Sequence, residues 1–420
     1  MGGGGDCQLS QPIGLFVPWR LGVYGLILAG FYVVFFLSLY RSGIWLIDSS
    51  GAPIYTDFTG LWTLGAQALH GKAALVYDQV ERVRAVRELV GPGFTLFFSC
   101  PHPPTYFLIF APLALLPYFR AFATWDFVTL LGTIAVVCLI ARRRWAIPLL
   151  LASPFIAWNL SGGQTGLMMT SLFGASLLLL ERRPMLAGCF IGLLSFKPQF
   201  GLLLPVALLA SSQWRAFMSA AGTVALLVAL SLALFGAELA IDFPKGLADY
   251  NQLFLVANPD QARVPSLGLQ TIYGVVRALH GGPWLAWFVQ GAAAITVAVV
   301  IWLVWRSSTR FTLKAAALPA AAFIVTPYAY AYDMAAITIS LAFVVRDQID
   351  FGSSYGEHAV MTALLAIGLV ILITFGVVPL GPIVAIALLG VILRRDLSWW
   401  VASPLRLLRV FRKVEGLRFL

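Results

Sequence analysis

Charge is what this chain has least of: Asp, Glu, Lys and Arg make up 11% of its 420 residues, against 60% apolar ones. A soluble domain carries roughly 25% charged residues, so the fold class that remains is an all-α polytopic membrane protein. Strand-like alternation is weak, which argues against a membrane β-barrel. Cysteine is scarce too. Cys7, Cys100, Cys138 and Cys189 stand far apart with no C-x-x-C spacing, so a thiolate metal site has no support. The chain contains no Walker loop, no G-x-G-x-x-G after a strand, no H-E-x-x-H and no nucleophile elbow. With no soluble domain, chemistry on a cytosolic nucleotide has nowhere to sit.

What is there is a series of apolar runs approaching the ~20 residues that a helix needs to cross a bilayer. Net charge is +10, but the cations fall in short clusters between the runs. Arg142–Arg144, Arg182–Arg183, Arg215, Arg306 with Arg310 and Lys314, Arg346 and Arg394–Arg395 form the pattern of cytoplasmic loops, not a nucleic-acid surface. Leu21–Tyr40 precedes no small-residue cleavage site and reads as a signal anchor. Keeping the clusters on one side gives twelve spans, at about 21–40, 121–141, 145–160, 165–181, 185–197, 199–212, 216–236, 284–305, 313–327, 330–346, 359–378 and 380–394. They form a single integral membrane domain over 1–420 with both termini inside.

The same parity requires residues 94–120, broken by several prolines, to dip in and return or to form a buried hairpin. Residues 41–93 become the first extracytoplasmic loop, with two short amphipathic helices expected on the membrane surface. One starts at Thr56 or Asp57, turns Leu61, Leu64 and Ala68 inward and stops at Gly71; the other starts with the capping-box spacing of Asp78 and Glu81. Residues 237–283 form a second long outer loop. The basic tail 395–420 is expected on the inner leaflet.

Polar and proline-broken stretches therefore converge on one face, as in a site made from loops. Asp57 reads either as a helix N-cap or as a general base. Lys197 lies in an apolar stretch, where an ionised lysine costs about 2.5–3.5 kcal/mol; it either snorkels to the interface or binds a phosphate. His102, fixed between prolines, and Arg263, in the second loop, are further phosphate candidates. Gln164, Tyr328, Tyr330 and Asp333 are candidates for substrate hydroxyls, although a turn explains Gly-Gly-Gln and an interfacial belt explains the tyrosines. Neither a metal nor any other cofactor is expected.

Four stretches in order resemble glycosyltransferase family 87: YTDFTGLWTLGAQALHGKAALVYD, PHPPTYFLIFAPLALLP, GGQTGLMMTSLF and AGCFIGLLSFKPQFGLLLP. The resemblance covers about 45–330. It implies a GT-C-like bundle of about twelve transmembrane helices. It also implies inverting transfer of a sugar, usually mannose, from a polyprenyl-phosphate donor on the extracytoplasmic face of the inner (plasma) membrane, as in the mannosyltransferases of phosphatidylinositol mannoside synthesis. The resemblance maps the base onto Asp57, and the expected partners are the donor, a lipid or glycan acceptor and membrane lipids. His102-Pro103-Pro104 stands where the family often has Tyr-Pro-Pro, and VPSLGLQTIYG matches the family's later outer loop only loosely. The competing reading is a secondary transporter or flippase, because broken helices also build midplane transport sites. The lack of a visible inverted repeat and the clustering of breaks on one face weigh against it.

Overall fold

Apolar runs without strand alternation fold as helices. The computed structural model describes residues 18–94, 100–144, 146–256 and 268–396, which hold eighteen α-helices and, in place of strands, isolated bridges such as Leu269 to Tyr330. After α1 (Pro18–Arg41), Thr56 in extended conformation stands at the N-cap of α2 (Asp57–Leu69), its N–H bonded to Thr59 Oγ1 at 2.9 Å. Asp57 is thus the first helical residue and not the cap. Asp78 caps α3 (Gln79–Val90), accepting from the N–H groups of Val80 and Glu81 at 2.8 and 2.9 Å. Then come α4 (Thr105–Ala114) and, after Pro117, α5 (Tyr118–Ala141).

The segment expected as one span at 145–160 is two helices, α6 (Ala146–Leu151) and α7 (Pro154–Gly162). Pro154 favours a helix start there and cannot donate a hydrogen bond to a continuous ladder. Next are α8 (Gly166–Leu179), α9 (Pro184–Leu193) and α10 (Leu203–Ala210), with two 3₁₀ turns between the last two that meet at Lys197. Pro198 disfavours helical backbone at Lys197, which takes φ −128° and ψ 72°. The remainder comprises α11 (Trp214–Phe235), α12 (Leu239–Asn251), α13 (Ile272–Ala278), α14 (Pro283–Arg306), α15 (Phe311–Val325), α16 (Ile337–Phe351), α17 (Tyr355–Ile373) and α18 (Gly381–Arg394). Helices occupy every expected span, but among the described residues five are long and apolar enough to cross a membrane: α5, α11, α14, α17 and most of α1.

Helix direction sorts the bundle into two ends. Arg142, Arg182, Arg306, Arg310 and Arg394 lie at one set of helix termini; Asp57, Tyr118, Gln164 and Thr326 lie at the other. α15 is the most enclosed helix. Its Ala315, Ala316, Ala317, Ala320 and Ala321 are fully buried, small enough for neighbouring helices to close around it. α2 buries Phe58, Leu61 and Leu64 and packs against α4. At the contact a Cβ on Gly65 would stand 2.1 Å from the Phe110 carbonyl oxygen, so only glycine admits the approach.

Candidate active site

Four connections meet at the end of the bundle opposite the arginines. Gln164, in the turn between α7 and α8, donates its side-chain amide to Asp57 Oδ2. Gly163 makes that turn with φ 63°, Trp125 Nε1 holds the Gln164 carbonyl at 3.2 Å, and the Gln164 N–H reaches Asn159 O at 3.0 Å. At the second break Lys197 Nζ binds Asp333 Oδ1, and Asp333 Oδ2 accepts the Tyr330 N–H at 3.0 Å. Lys197 is 5% and Asp333 2% exposed. Lys197 therefore does not snorkel, and both Asp333 oxygens are engaged within the protein.

Asn159 ties these halves together. Fully buried, it donates to Tyr332 O at 2.8 Å and accepts the Leu167 N–H at 3.2 Å. The turn that presents Gln164 is thereby fixed against the turn that presents Asp333.

Asp57 is exposed, yet burial pushes its carboxyl above the usual carboxylate range, while the Gln164 bond and the Lys197 charge pull it back. Both hold for a side chain whose oxygens meet solvent while protein surrounds it on its other sides. His102 lies nearby, its ring stacked on Tyr106 with centroids 4.1 Å apart. Burial holds its imidazole well below the usual histidine range, and the charges of Arg82 and Lys197 push it the same way.

Aromatic rings form the other side. Tyr332 lies under Lys197, with Nζ 4.7 Å from the ring centroid. The Tyr330 hydroxyl is 3.2 Å from that of Tyr250 and 3.5 Å from that of Tyr328. Tyr250 belongs to α12, which also packs Gly246 on Tyr77, and the Tyr77 hydroxyl donates to the His102 carbonyl at 2.8 Å. The α12 helix thus joins the His102 side of the recess to the Tyr330 side.

Of the expected site residues, Asp57, Gln164, Lys197, Asp333, His102, Tyr328 and Tyr330 come together, and Arg263 lies outside the described residues. Sequence reasoning missed Asn159, Tyr250 and the role of Tyr332. A lone asparagine inside an apolar segment was a usable signal for Asn159; Tyr250 sits in a polar stretch and carried none. A family model for glycosyltransferase family 87 matches residues 101–327. That stretch contains His102, Gln164, Lys197 and Tyr250, and Asp57 and Asp333 flank it. No curated protein and no solved structure matches the chain.

Proposed function

The chain belongs to glycosyltransferase family 87, and on that premise we propose that it is an inverting hexosyltransferase using a polyprenyl-phosphate donor. Mannose is the sugar in this reading, and a lipid or glycan is the acceptor. The helical segments form a GT-C-like bundle of about twelve crossings, with segment 94–120 entering and leaving on the site's side. The arginine clusters face the cytoplasm, so the Asp57 recess opens on the extracytoplasmic face of the plasma membrane.

One observation carries the reading: Asp57 combines an exposed carboxylate with a fixed amide partner and a pKa raised by burial. A general base works best when its pKa approaches the operating pH. Asp57 removes the proton from the acceptor hydroxyl as that oxygen bonds to the anomeric carbon. The bond from that carbon to the phosphate oxygen breaks on the opposite face, and its electron pair stays on the phosphate. The donor phosphodiester, a monoanion, leaves as a monoester dianion, so charge grows on the phosphate and a preorganised positive group stabilises it. Lys197 belongs to that positive side, oriented by Asp333 and Tyr332, while His102 offers a hydrogen-bonding imidazole. The ring faces of Tyr328, Tyr330 and Tyr332 suit a pyranose, which presents an apolar face and a rim of hydroxyls.

The test is transfer by purified protein from radiolabelled polyprenyl-phosphate-mannose to a membrane lipid extract. Label is expected to move with wild type and not with Asp57→Asn. Equal transfer by both proteins sinks the base assignment, and no transfer from any polyprenyl-phosphate hexose sinks the donor class.

A further inference from the structure

The chain reaches Asp57 through loop 42–56, which leads from α1 into α2 and is closed by its own hydrogen bonds. The Asp48 N–H bonds Ala52 O and the Ile54 N–H bonds Leu46 O, each at 2.9 Å. Asp48 Oδ1 fastens the tip by accepting the N–H groups of Ser50 and Ala52 at 2.8 and 3.0 Å. At the foot of the loop the Ile47 N–H turns back onto Trp45 O at 2.8 Å, with Leu46 at φ 64° between them. A bulky side chain rarely takes that left-handed conformation. Such strain persists only where the surroundings over-determine it.

Trp45 is fixed beside that turn by two contacts. Its ring lies against Phe36 of α1 with centroids 5.0 Å apart, and its Nε1 donates to Ser161 O at 2.8 Å. An indole has one donor and no acceptor, and a tryptophan at a membrane interface needs no particular partner. This one sets its donor on a carbonyl in the last turn of α7, where helix geometry leaves the C=O groups unpaired.

Ser161 opens the turn that ends at Gln164. At the other end Trp125 Nε1 donates to the Gln164 carbonyl at 3.2 Å. Two indoles, one from the loop and one from α5, thus hold the main chain on either side of Gly162-Gly163. The turn between them is tightly packed: a Cβ on Gly163 would stand 2.6 Å from Phe58 Cβ, and one on Gly162 3.6 Å from Asp57 Oδ2. The segment that carries Asp57 is therefore joined twice to the end of α7, once through Trp45 and once through the Gln164 amide. An amide on a flexible stem holds a carboxylate in one geometry only when its own main chain is fixed.

We propose that Trp45 is a positioning residue for the base: with Trp125 it clamps the Ser161–Gln164 turn and so holds the Gln164 amide on Asp57. This rests on the glycosyl-transfer reading above. Trp45 acts through Gln164, whose hydrogen bond favours the ionised form of Asp57. That is the form that takes the proton of the acceptor hydroxyl.

The experiment compares Trp45→Phe, which keeps a ring against Phe36 and deletes the donor, with Tyr32→Phe. Tyr32 bonds Ala152 O at 3.3 Å and so ties α1 to the approach to α7 at a distance from the turn. In purified full-length protein in detergent, Trp45→Phe is expected to speed amide hydrogen exchange at 159–167 and not around Asp347. Its kcat/KM at pH 7 is expected to fall about 2- to 10-fold, the factor of one net hydrogen bond. The acid limb should move to higher pH with the high-pH plateau kept. Tyr32→Phe is expected to change neither the exchange at 159–167 nor the acid limb. Added to Gln164→Leu, Trp45→Phe is expected to move the limb no further, because both act through one bond. Should Trp45→Phe fail to fold, benzothienylalanine introduced at 45 alone, which keeps the indole shape and lacks the N–H, decides. An unshifted acid limb in the folded variant overturns the proposal, and so does a shift that adds to that of Gln164→Leu. A wild type that transfers no sugar refutes the transfer reading and leaves exchange to judge the clamp. Equal exchange at 159–167 in wild type and Trp45→Phe then overturns it.

Discussion

Two buried clusters of charge sit at opposite ends of the same bundle, and they are satisfied to different degrees. At the arginine end, Asp347 accepts from Arg310 Nε at 2.9 Å, Arg395 Nε at 2.8 Å and Thr312 Oγ1 at 2.8 Å. Arg395 also binds Glu357, which takes a bond from Gln348 at 3.1 Å. Two acids meet two guanidinium groups there, and the Asp347 side chain is fully enclosed. At the other end Lys197 is paired with Asp333, and Asp57 stays exposed with a side-chain amide as its partner. A closed network fixes α15, α16, α17 and the end of α18 against one another. An open one is organised for a ligand that brings its own charge and hydroxyls, and perturbed carboxyl groups in clefts mark such sites.

The contrast is tested hardest by removing one acid from each cluster. Asp347→Ala strands two partly buried guanidinium groups and is expected to cost about 3–5 kcal/mol of stability, with transfer per folded molecule unchanged. Asp57→Asn is expected to lower kcat by about 10²–10⁴-fold without loss of stability. The sign follows from linkage. Burial raises the folded-state pKa of Asp57, so the native state binds this proton more tightly than the unfolded chain does. Stability therefore falls as pH rises from the unfolded carboxyl pKa near about 4 through the folded value. Asparagine removes that cost, so the variant is expected to unfold at or above the wild-type midpoint at pH 7. The measurements are unfolding in detergent and initial transfer rates. The comparison collapses if Asp57→Asn loses stability while Asp347→Ala loses turnover.

Why one cluster was legible in the sequence and the other was not follows from the surroundings of each residue. Lys197 drew attention because an ammonium between FIGLLSF and PQFGLLLP is costly to leave alone, and Asp333 because it follows a proline-broken tyrosine run. Their pairing, 136 residues apart, left no trace in spacing. Asp57 and Gln164 were each singled out, but not as partners. At the arginine end Arg310 and Arg395 were read as loop charge, since they flank apolar runs as solvated residues also do, and Asp347 was not singled out. The start and buried side of α2 were legible, but the close packing of its glycines was not: Gly60 and Gly65 lower helix propensity wherever they occur. Their purpose shows only against Arg82 and the Phe110 backbone.

A smaller effect sharpens the account of how the open cluster sets its base. Gln164→Leu keeps the approximate volume but removes the donor that lowers the Asp57 pKa. The acid limb of kcat/KM against pH is then expected to move to higher pH, because the base must lose a proton that burial now holds more firmly. Turnover at pH 7 should fall about 10-fold while the plateau at high pH recovers most of it. An unshifted acid limb would mean that Gln164 positions substrate and not the carboxylate.

The smallest expected effect compares one hydroxyl at each end. Tyr250→Phe keeps the ring, which meets Tyr328 edge-on with centroids 5.4 Å apart, and deletes the hydroxyl 3.2 Å from that of Tyr330. A net hydrogen bond contributes about 0.5–1.5 kcal/mol. If that bond orients Tyr330 toward a sugar, the loss appears as a donor KM raised about 2- to 10-fold, with the unfolding midpoint nearly unchanged. Thr312→Val deletes a hydroxyl of similar reach from Asp347 in the closed network. There the same order of energy is expected wholly in the unfolding midpoint and not in KM. Should both variants lower the midpoint equally and leave KM alone, α12 is a structural roof over the recess and Tyr250 takes no part in holding substrate.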